Sequence, residues 1–156
     1  MRRVKIVLGF CLSFCMMLVL TACGSSNEEV LTCTLKQDVG NYELESTYKA
    51  YHVNGIVNRV ETIEVVSSDD SSILSAFETT LNASYKTMNN LYGGYKYSVT
   101  INGNKLTAKA DIDYTELDLD KLIKADSSMK SIVNNDNKIT LDGVRTLYEQ
   151  LGAKCK

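Results

Sequence analysis

Two Asn-Gly dipeptides, each set between segments of alternating apolar and polar residues, constrain the fold of this 156-residue chain most strongly. Asn-Gly tolerates the positive φ angles of a tight type I′ turn, and alternation with a period of two is typical of strands with one buried face. Asn54-Gly55 and Asn102-Gly103 therefore predict two β-hairpins. The paired strands are Asn41–Val53 with Ile56–Val66, and Tyr95–Ile101 with Lys105–Tyr114.

One more strand and several helices complete the predicted fold. Val30–Gln37 alternates as a strand before the first hairpin, and apolar residues at helical spacing predict a long helix between the hairpins. The polar run Ser67–Ser72 supplies N-caps for this helix, and Gly93-Gly94 ends it. This order predicts an α+β domain with an antiparallel sheet of about five strands and helices packed on one face. The shorter helices expected are Leu117–Lys124, Ser127–Val133 and a final helix that Thr140 caps and Gly152 ends.

The N-terminal segment has the features of an export signal. The basic stretch Met1–Lys5 precedes an apolar run of about fifteen residues, shorter than the roughly 20 that cross a bilayer as a helix. The run ends in Leu20-Thr21-Ala22-Cys23, which resembles the lipobox of bacterial lipoproteins. The resemblance implies cleavage between Ala22 and Cys23 and attachment of a diacylglyceryl group to the Cys23 sulfur. The alternatives are a plain cleaved signal with an incidental cysteine and a retained helical anchor.

The chain is thus predicted to comprise a signal peptide (1–22), a flexible polar tether (23–29) and one domain (30–156). Its expected location is the extracytoplasmic face of a bacterial membrane, held there by the N-terminal lipid. Removal of the three cations in the signal leaves 14 cations against 19 acids, a net charge of −5. This balance argues against nucleic acid as a partner, because nucleic-acid-binding surfaces are basic.

The cysteines of the predicted domain are Cys33, near its start, and Cys155, next to its end. Cys11 and Cys15 leave with the signal, and Cys23 receives the lipid. Two cysteines in an exported chain favour a disulfide, with two free thiols as the alternative. A zinc site is not indicated, because the sequence has no histidine pair to complete it.

No set of catalytic residues emerges from the sequence. His52 is the single histidine and lies in the apolar phase of its strand, which favours a structural role near the hairpin. The motifs for a nucleophile elbow, a phosphate-binding loop and a zinc-binding helix do not occur. We therefore predict a non-enzymatic domain without cofactor or metal. The alternative is a small hydrolase or lyase that uses His52 with a nearby carboxylate.

Two compositional features are candidates for binding. The acidic run Asp111–Asp120 has the carboxylate density of a Ca²⁺ site, although a solvated strand face and helix capping account for it without metal. Nine tyrosines are present, and Tyr92, Tyr95 and Tyr97 cluster around Gly93-Gly94. Tyrosines on a sheet can stack on sugars or peptides. We favour the alternative, that they are core and rim residues of a small domain.

Three segments make the chain similar to the YehR-like family of small bacterial lipoproteins: Thr32–Leu35, Asp111–Tyr114 and Leu147–Lys156. The resemblance implies an α+β domain on a lipid tether and brings no established activity. The predicted function is a lipid-anchored envelope protein that binds an unidentified ligand or envelope partner. A further hypothesis is that the leader fragment Phe14–Ala22 is released as a peptide signal.

Overall fold

The structure is a computed structural model and describes residues 27–156. The predicted signal peptide (1–22), the leader fragment Phe14–Ala22 and the lipid-attachment residue Cys23 lie outside the described residues. The strands are β1 Glu29–Asp38, β2 Glu43–Val53, β3 Ile56–Ser67, β4 Tyr95–Asn102, β5 Lys105–Asp113 and β6 Lys154–Cys155. The helices are α1 Ser71–Tyr92, α2 Leu119–Ala125 and α3 Leu141–Gln150, with a 3₁₀ helix at Ser127–Ser131.

All strands of residues 27–156 pair antiparallel in one open sheet with the order β4-β5-β3-β2-β1-β6. The predicted α+β class and antiparallel sheet are confirmed, but the sheet has six strands rather than about five. The additional strand is β6, in which Cys155 pairs with Cys33 and Lys154 with Thr34. A two-residue strand is too short to show alternation, so the sequence pattern did not reveal it.

Both predicted hairpins form, with different turns. At the first, Asn54 and Gly55 have φ angles of 51° and 76°, as a type I′ turn requires. At the second, Asn102 still pairs with Lys105, so the turn lies one residue later than expected. Gly103 takes the first central position with a φ of 60°, the position that type II′ turns reserve for glycine.

Side-chain and glycine caps set the helix ends. The Asp70 carboxylate accepts from the Ser72 N–H at 2.8 Å and begins α1, which ends at Gly93 as predicted. Thr140 caps α3, also as predicted, by accepting from the Gly143 N–H at 3.2 Å. Asp118 caps α2, which therefore begins two residues later than the sequence indicated. None of the helices within residues 27–156 is both long and apolar enough to span a membrane.

The helices cover one face of the sheet, as predicted, and enclose two separate apolar clusters there. Helix α1 lies on β4 and β5, whereas α3 lies on β1, β2 and β6. Full burial of a valine or leucine side chain contributes about 1.5–3 kcal/mol, so both clusters stabilise the fold. The α3 cluster consists of Leu31, Cys33, Ala50, Val57, Val60, Ile132, Ile139, Val144 and Ala153. The α1 cluster consists of Val66, Leu74, Leu106 and Ala108.

Candidate functional site

A carboxyl group, Glu64, lies on the helix-covered face of the central strand β3. Its neighbours across the sheet are Ser46 on β2 and Ala108 on β5, both of which are buried. A register shift in the first hairpin brings Glu64 to this face. His52 pairs with Val57, whereas the preceding Tyr51 pairs with Arg59, so Asn58 is an extra residue and β3 changes phase beyond it.

Glu64 is half-buried and has no cationic partner among the described residues, because no Lys, Arg or His nitrogen of 27–156 lies within 4.0 Å of its carboxylate. Burial raises the pKa of its carboxyl above the ordinary value of 4.5, and a polar interaction with Tyr85 opposes part of that shift. A carboxyl with a perturbed pKa and no ion-pair partner is a candidate functional group, because burying a carboxylate without a cation is costly.

Two stacked tyrosine pairs flank Glu64. Tyr48 of β2 and Tyr148 of α3 stack with ring centres 4.3 Å apart, and both pack against the α3 cluster. Tyr85 of α1 stacks on Tyr97 of β4 with centres 5.4 Å apart. Burial raises the pKa of Tyr48 and of Tyr148, and raises the pKa of Tyr85 to about 12. The negative charge of Glu64 adds to each of these three pKa shifts, which places all three phenols within its field.

Ser46 contributes an enclosed hydroxyl, with the residue 2% exposed. Its Oγ interacts with the Tyr48 hydroxyl, which opposes part of the rise in the pKa of that phenol, but it forms no hydrogen bond of good geometry with a residue of 27–156. Ser46 lines a depression of about 470 Å³ beside the end of α3, together with Leu35, Gly152 and the charged residues Lys36, Glu45 and Lys154, whereas Glu64 does not line it. We call Ser46, Glu64 and the four tyrosines (Tyr48, Tyr85, Tyr97 and Tyr148) the Glu64 site.

Replacing Glu64 with glutamine should flatten the pH dependence of stability above about pH 4.5. The raised pKa means that the folded state holds this proton more tightly than the unfolded chain. The associated stability is complete below the ordinary carboxyl pKa and falls as pH rises through the folded-state value. Urea unfolding at a series of pH values between about 4 and 8 would measure this fall in the unsubstituted protein and its absence in Glu64→Gln.

Glu61→Gln is the matched control on the opposite face of the same strand. The Tyr51 hydroxyl and the Arg59 guanidinium lower the pKa of Glu61, so its contribution is lost as pH falls. This substitution should therefore change the pH dependence in the opposite sense. An identical change in both variants would contradict the assignment of a raised pKa to Glu64.

The structure brings together the two cysteines that the sequence indicated as a disulfide. Cys33 and Cys155 are register partners whose Cα atoms lie 4.0 Å apart and whose sulfurs are at disulfide-bonding distance. Cys33 is buried in the α3 cluster. The pair therefore links β1 to β6, the last strand, at the edge of the sheet.

His52 is 7% exposed and lies away from the Glu64 site, near the first hairpin. Its Nε2 is 4.0 Å from the exposed Glu29 carboxylate, and its Nδ1 has no hydrogen-bond partner within the described part of the chain. A separation of 4.0 Å is too long for a hydrogen bond between these groups. Among residues 27–156, Glu29 is the one carboxylate within 4.0 Å of His52, so the alternative that pairs His52 with a carboxylate has this distant candidate alone.

The acidic run has structural partners along its length. Asp111 pairs with Arg59 at 3.2 Å, Asp118 caps α2, and Asp120 accepts from the Asn137 amide at 3.0 Å. The Asp113 carboxylate accepts from the Thr115 N–H and hydroxyl, which lower its pKa. Within residues 27–156, no three His, Cys, Asp or Glu side chains are grouped so that they could hold a metal ion.

The sequence identified Tyr97 as part of a cluster around Gly93-Gly94, but it did not identify Glu64 or Ser46. The sequence did contain a signal for Glu64, since a strand that turns Val60 and Val66 toward the core also turns position 64 to the same face. The flanking apolar residues Ile63 and Val65 obscured it, because they supply the same period in the opposite phase.

These features define an α+β domain with one antiparallel sheet, helices on a single face, and a carboxyl site between two apolar clusters. The protein has a YehR-like fold, so the resemblance found in the sequence is confirmed for the fold. An NMR structure of the Escherichia coli YehR protein matches with a TM-score of 0.54 and 14% identity, covering 83% of this chain and 92% of that one. An NMR structure of a protein from Streptococcus pneumoniae TIGR4 matches with a TM-score of 0.53 and 12% identity, covering 88% and 90%. No protein-family model and no curated protein matches the sequence.

Proposed function

We propose that this protein is a lipid-anchored envelope protein that binds a small ligand, without catalysis, on the extracytoplasmic face of a bacterial membrane. The observation that carries the binding role is Glu64, a half-buried carboxyl without a cationic partner among residues 27–156. Desolvation of a carboxylate destabilises the fold unless another group compensates it. A bound ligand supplies that compensation only while it occupies the site.

The surroundings of Glu64 support ligand binding over a purely structural role. The two apolar clusters remain separate, and the polar groups of the Glu64 site lie on the same face of the sheet between them. The enclosed Ser46 hydroxyl lies on β2 opposite Glu64 and offers a second polar group on this face. The depression that Ser46 lines, about 470 Å³, has the volume of a typical small-molecule site and is bordered by Leu35, Gly152 and the lysines Lys36 and Lys154.

The anchor is supported by the sequence Leu20-Thr21-Ala22-Cys23 after a basic and apolar leader. Two or three acyl chains hold a protein stably at a membrane, since each buried methylene contributes about 0.8 kcal/mol. Strand β1 begins at Glu29, so residues 23–28 form the whole link to the lipid. At roughly 3.5 Å per extended residue, this link keeps the domain within about 20 Å of the bilayer surface.

Cys23→Ala should release the protein from the membrane fraction and abolish incorporation of radiolabelled palmitate. The reason is that the substitution removes the sulfur to which the lipid is attached. The measurement is fractionation after a carbonate wash, with metabolic labelling in parallel. Cys15→Ala is the matched control, because it removes a cysteine of the same leader and should leave both readouts unchanged. Membrane retention and labelling of the Cys23→Ala protein would overturn the proposed anchor.

The alternative of a hydrolase or lyase built on His52 has weaker support. The distance between His52 and Glu29 exceeds a hydrogen bond, and the Glu29 side chain is 74% exposed. A general base is normally oriented by a second group at hydrogen-bonding distance. Hydrolysis of an ester or peptide probe by the full chain, lost in His52→Ala, would favour this alternative over the proposed binding function.

A further inference from the structure

Strand β4 forms one edge of the sheet and lacks most features that protect such an edge. Natural sheets protect their edges with prolines, bulges, charged side chains or a covering segment. The sequence contains no proline, β4 pairs with β5 without a register shift, and Lys96 is the one charged residue of β4. At the opposite edge, β6 and the disulfide cover the middle of β1. With eight residues, β4 is therefore the longer open edge within residues 27–156.

The hydrogen-bonding phase of β4 determines which of its backbone groups face outward. In an antiparallel pair, alternate residues exchange hydrogen bonds with the neighbouring strand. The Gly94 carbonyl accepts from the Asp113 N–H at 2.8 Å, so the even-numbered residues of β4 bond to β5. The odd-numbered residues face away from β5, and the Tyr95 N–H accordingly donates to Asn89 Oδ1 at 3.2 Å. No strand of residues 27–156 pairs with the outward N–H and C=O groups of the other three, Tyr97, Val99 and Ile101.

We propose that a second copy of this chain pairs with β4 across a two-fold axis at Val99, which joins two six-stranded sheets into one continuous sheet. Antiparallel pairing about this axis sets Val99 opposite Val99 of the second copy, and Tyr97 opposite Ile101 of the second copy. In both copies, the outward N–H groups of these three residues then donate to outward C=O groups of the partner strand. This inference does not depend on a ligand at the Glu64 site.

The side chains of β4 are complementary to themselves in this register. On the helix-covered face, Tyr97, Val99 and Ile101 form a row with the same residues of the second copy, and aromatic and β-branched residues are favourable cross-strand partners. On the helix-free face, Ser98 lies opposite Thr100 of the second copy, which pairs two hydroxyl side chains. Lys96 lies opposite the neutral Asn102, so like charges are not placed opposite each other.

Helix α1 leaves this edge accessible. Its buried residue, Leu74, packs with buried residues of β3 and β5, so α1 packs toward the interior of the sheet. Ile101 lies at the edge on the same face and is 37% exposed. Pairing with a second copy buries this side chain against Tyr97, and burial of exposed apolar surface stabilises the association.

Sedimentation equilibrium of the full chain in density-matched detergent micelles tests this inference. The unsubstituted protein should form dimers that dissociate on dilution. Ser98→Lys combined with Thr100→Lys places like charges opposite each other at two exposed positions, and it should raise the Kd of the dimer by about tenfold or more. The matched control combines Ser98→Lys with Thr100→Glu, which places opposite charges there and should leave the dimer at least as stable. Cooperative thermal unfolding identifies the folded variants.

Cysteine crosslinking tests the register. A mixture of Ser98→Cys and Thr100→Cys proteins should form a disulfide-linked heterodimer on mild oxidation, because directly opposite residues outside the hydrogen-bonded pairs have Cα atoms about 4.5 Å apart. Each variant alone should crosslink much less, because its two cysteines are diagonal neighbours at about 7–8 Å.

Two results would overturn the inference. One is a monomer at every concentration measured, which would leave the proposed ligand binding intact. The other is the same dimer mass in both charge variants without the heterodimer crosslink, since copies that share a micelle through their lipids would associate regardless of positions 98 and 100.

Discussion

Replacing Cys33 and Cys155 together with serine should lower the free energy of unfolding by about 3–5 kcal/mol. The cysteines are separated by 122 residues, and a crosslink across so long a loop removes much of the conformational entropy of the unfolded chain. Strand β6 has two residues and few hydrogen bonds of its own to hold it on β1. Urea unfolding of the full chain, followed by circular dichroism, measures the difference.

Reduction supplies the control for this prediction. The unsubstituted protein in dithiothreitol should lose the same stability, whereas the double variant should not respond to the reductant. Mass spectrometry without reductant should find the unsubstituted protein two hydrogens lighter than its dithiol form. Unchanged stability on reduction, or the mass of the dithiol, would show that Cys33 and Cys155 are free thiols.

Gly94→Ala should destabilise the protein by about 3 kcal/mol. Gly94 has a φ angle of 73°, which costs an alanine about 1–2 kcal/mol, and a Cβ atom there would lie 2.6 Å from the Asp113 carbonyl oxygen. That oxygen belongs to backbone fixed by the hydrogen bond from the Asp113 N–H to the Gly94 carbonyl, at 2.8 Å. Relief of the contact requires the backbone to shift, with a further cost of about 1–3 kcal/mol.

Gly103→Ala separates the two contributions. Gly103 also has a positive φ, of 60°, but a Cβ atom would meet nothing within 4 Å. Its substitution should therefore cost only the backbone conformation, about 1–2 kcal/mol. Equal losses in the two variants, measured by urea unfolding, would mean that the contact between Gly94 and Asp113 is unimportant.

Most of the fold could be predicted from the sequence, because turns and helix ends depend on residues that are close together in the chain. The turn at Asn54-Gly55, the Thr140 cap and the Gly93 terminator each act through residues a few positions apart. The sixth strand depends instead on contact between Cys155 and Cys33, at opposite ends of the domain. The sequence indicated a disulfide between these cysteines as one of two alternatives. It could not show that the segments around them also pair as β-strands.

The candidate site was missed because one extra residue in β3 decides which side chains face the helices. A regular hairpin extended from Asn54-Gly55 would place Ile63 opposite Ser46, and the bulge places Glu64 there instead. The bulged residue Asn58 is fixed by a distant segment, since its carbonyl accepts from the Tyr114 N–H at 2.8 Å. A turn signal sets the register only up to the first such irregularity.

The disulfide between Cys33 and Cys155, near the start of the domain, also determines how the domain resists a pulling force. With the proposed lipid anchor, a force that pulls the bound ligand away from the membrane is opposed by the lipid, and it reaches the domain at Glu29. Peeling of β1 can free Glu29–Thr32, and it then reaches Cys33, which is tied covalently to Cys155. Beyond that point the force is shared between the first and last segments of the domain, so the tether can lengthen by only about four residues before the disulfide arrests it.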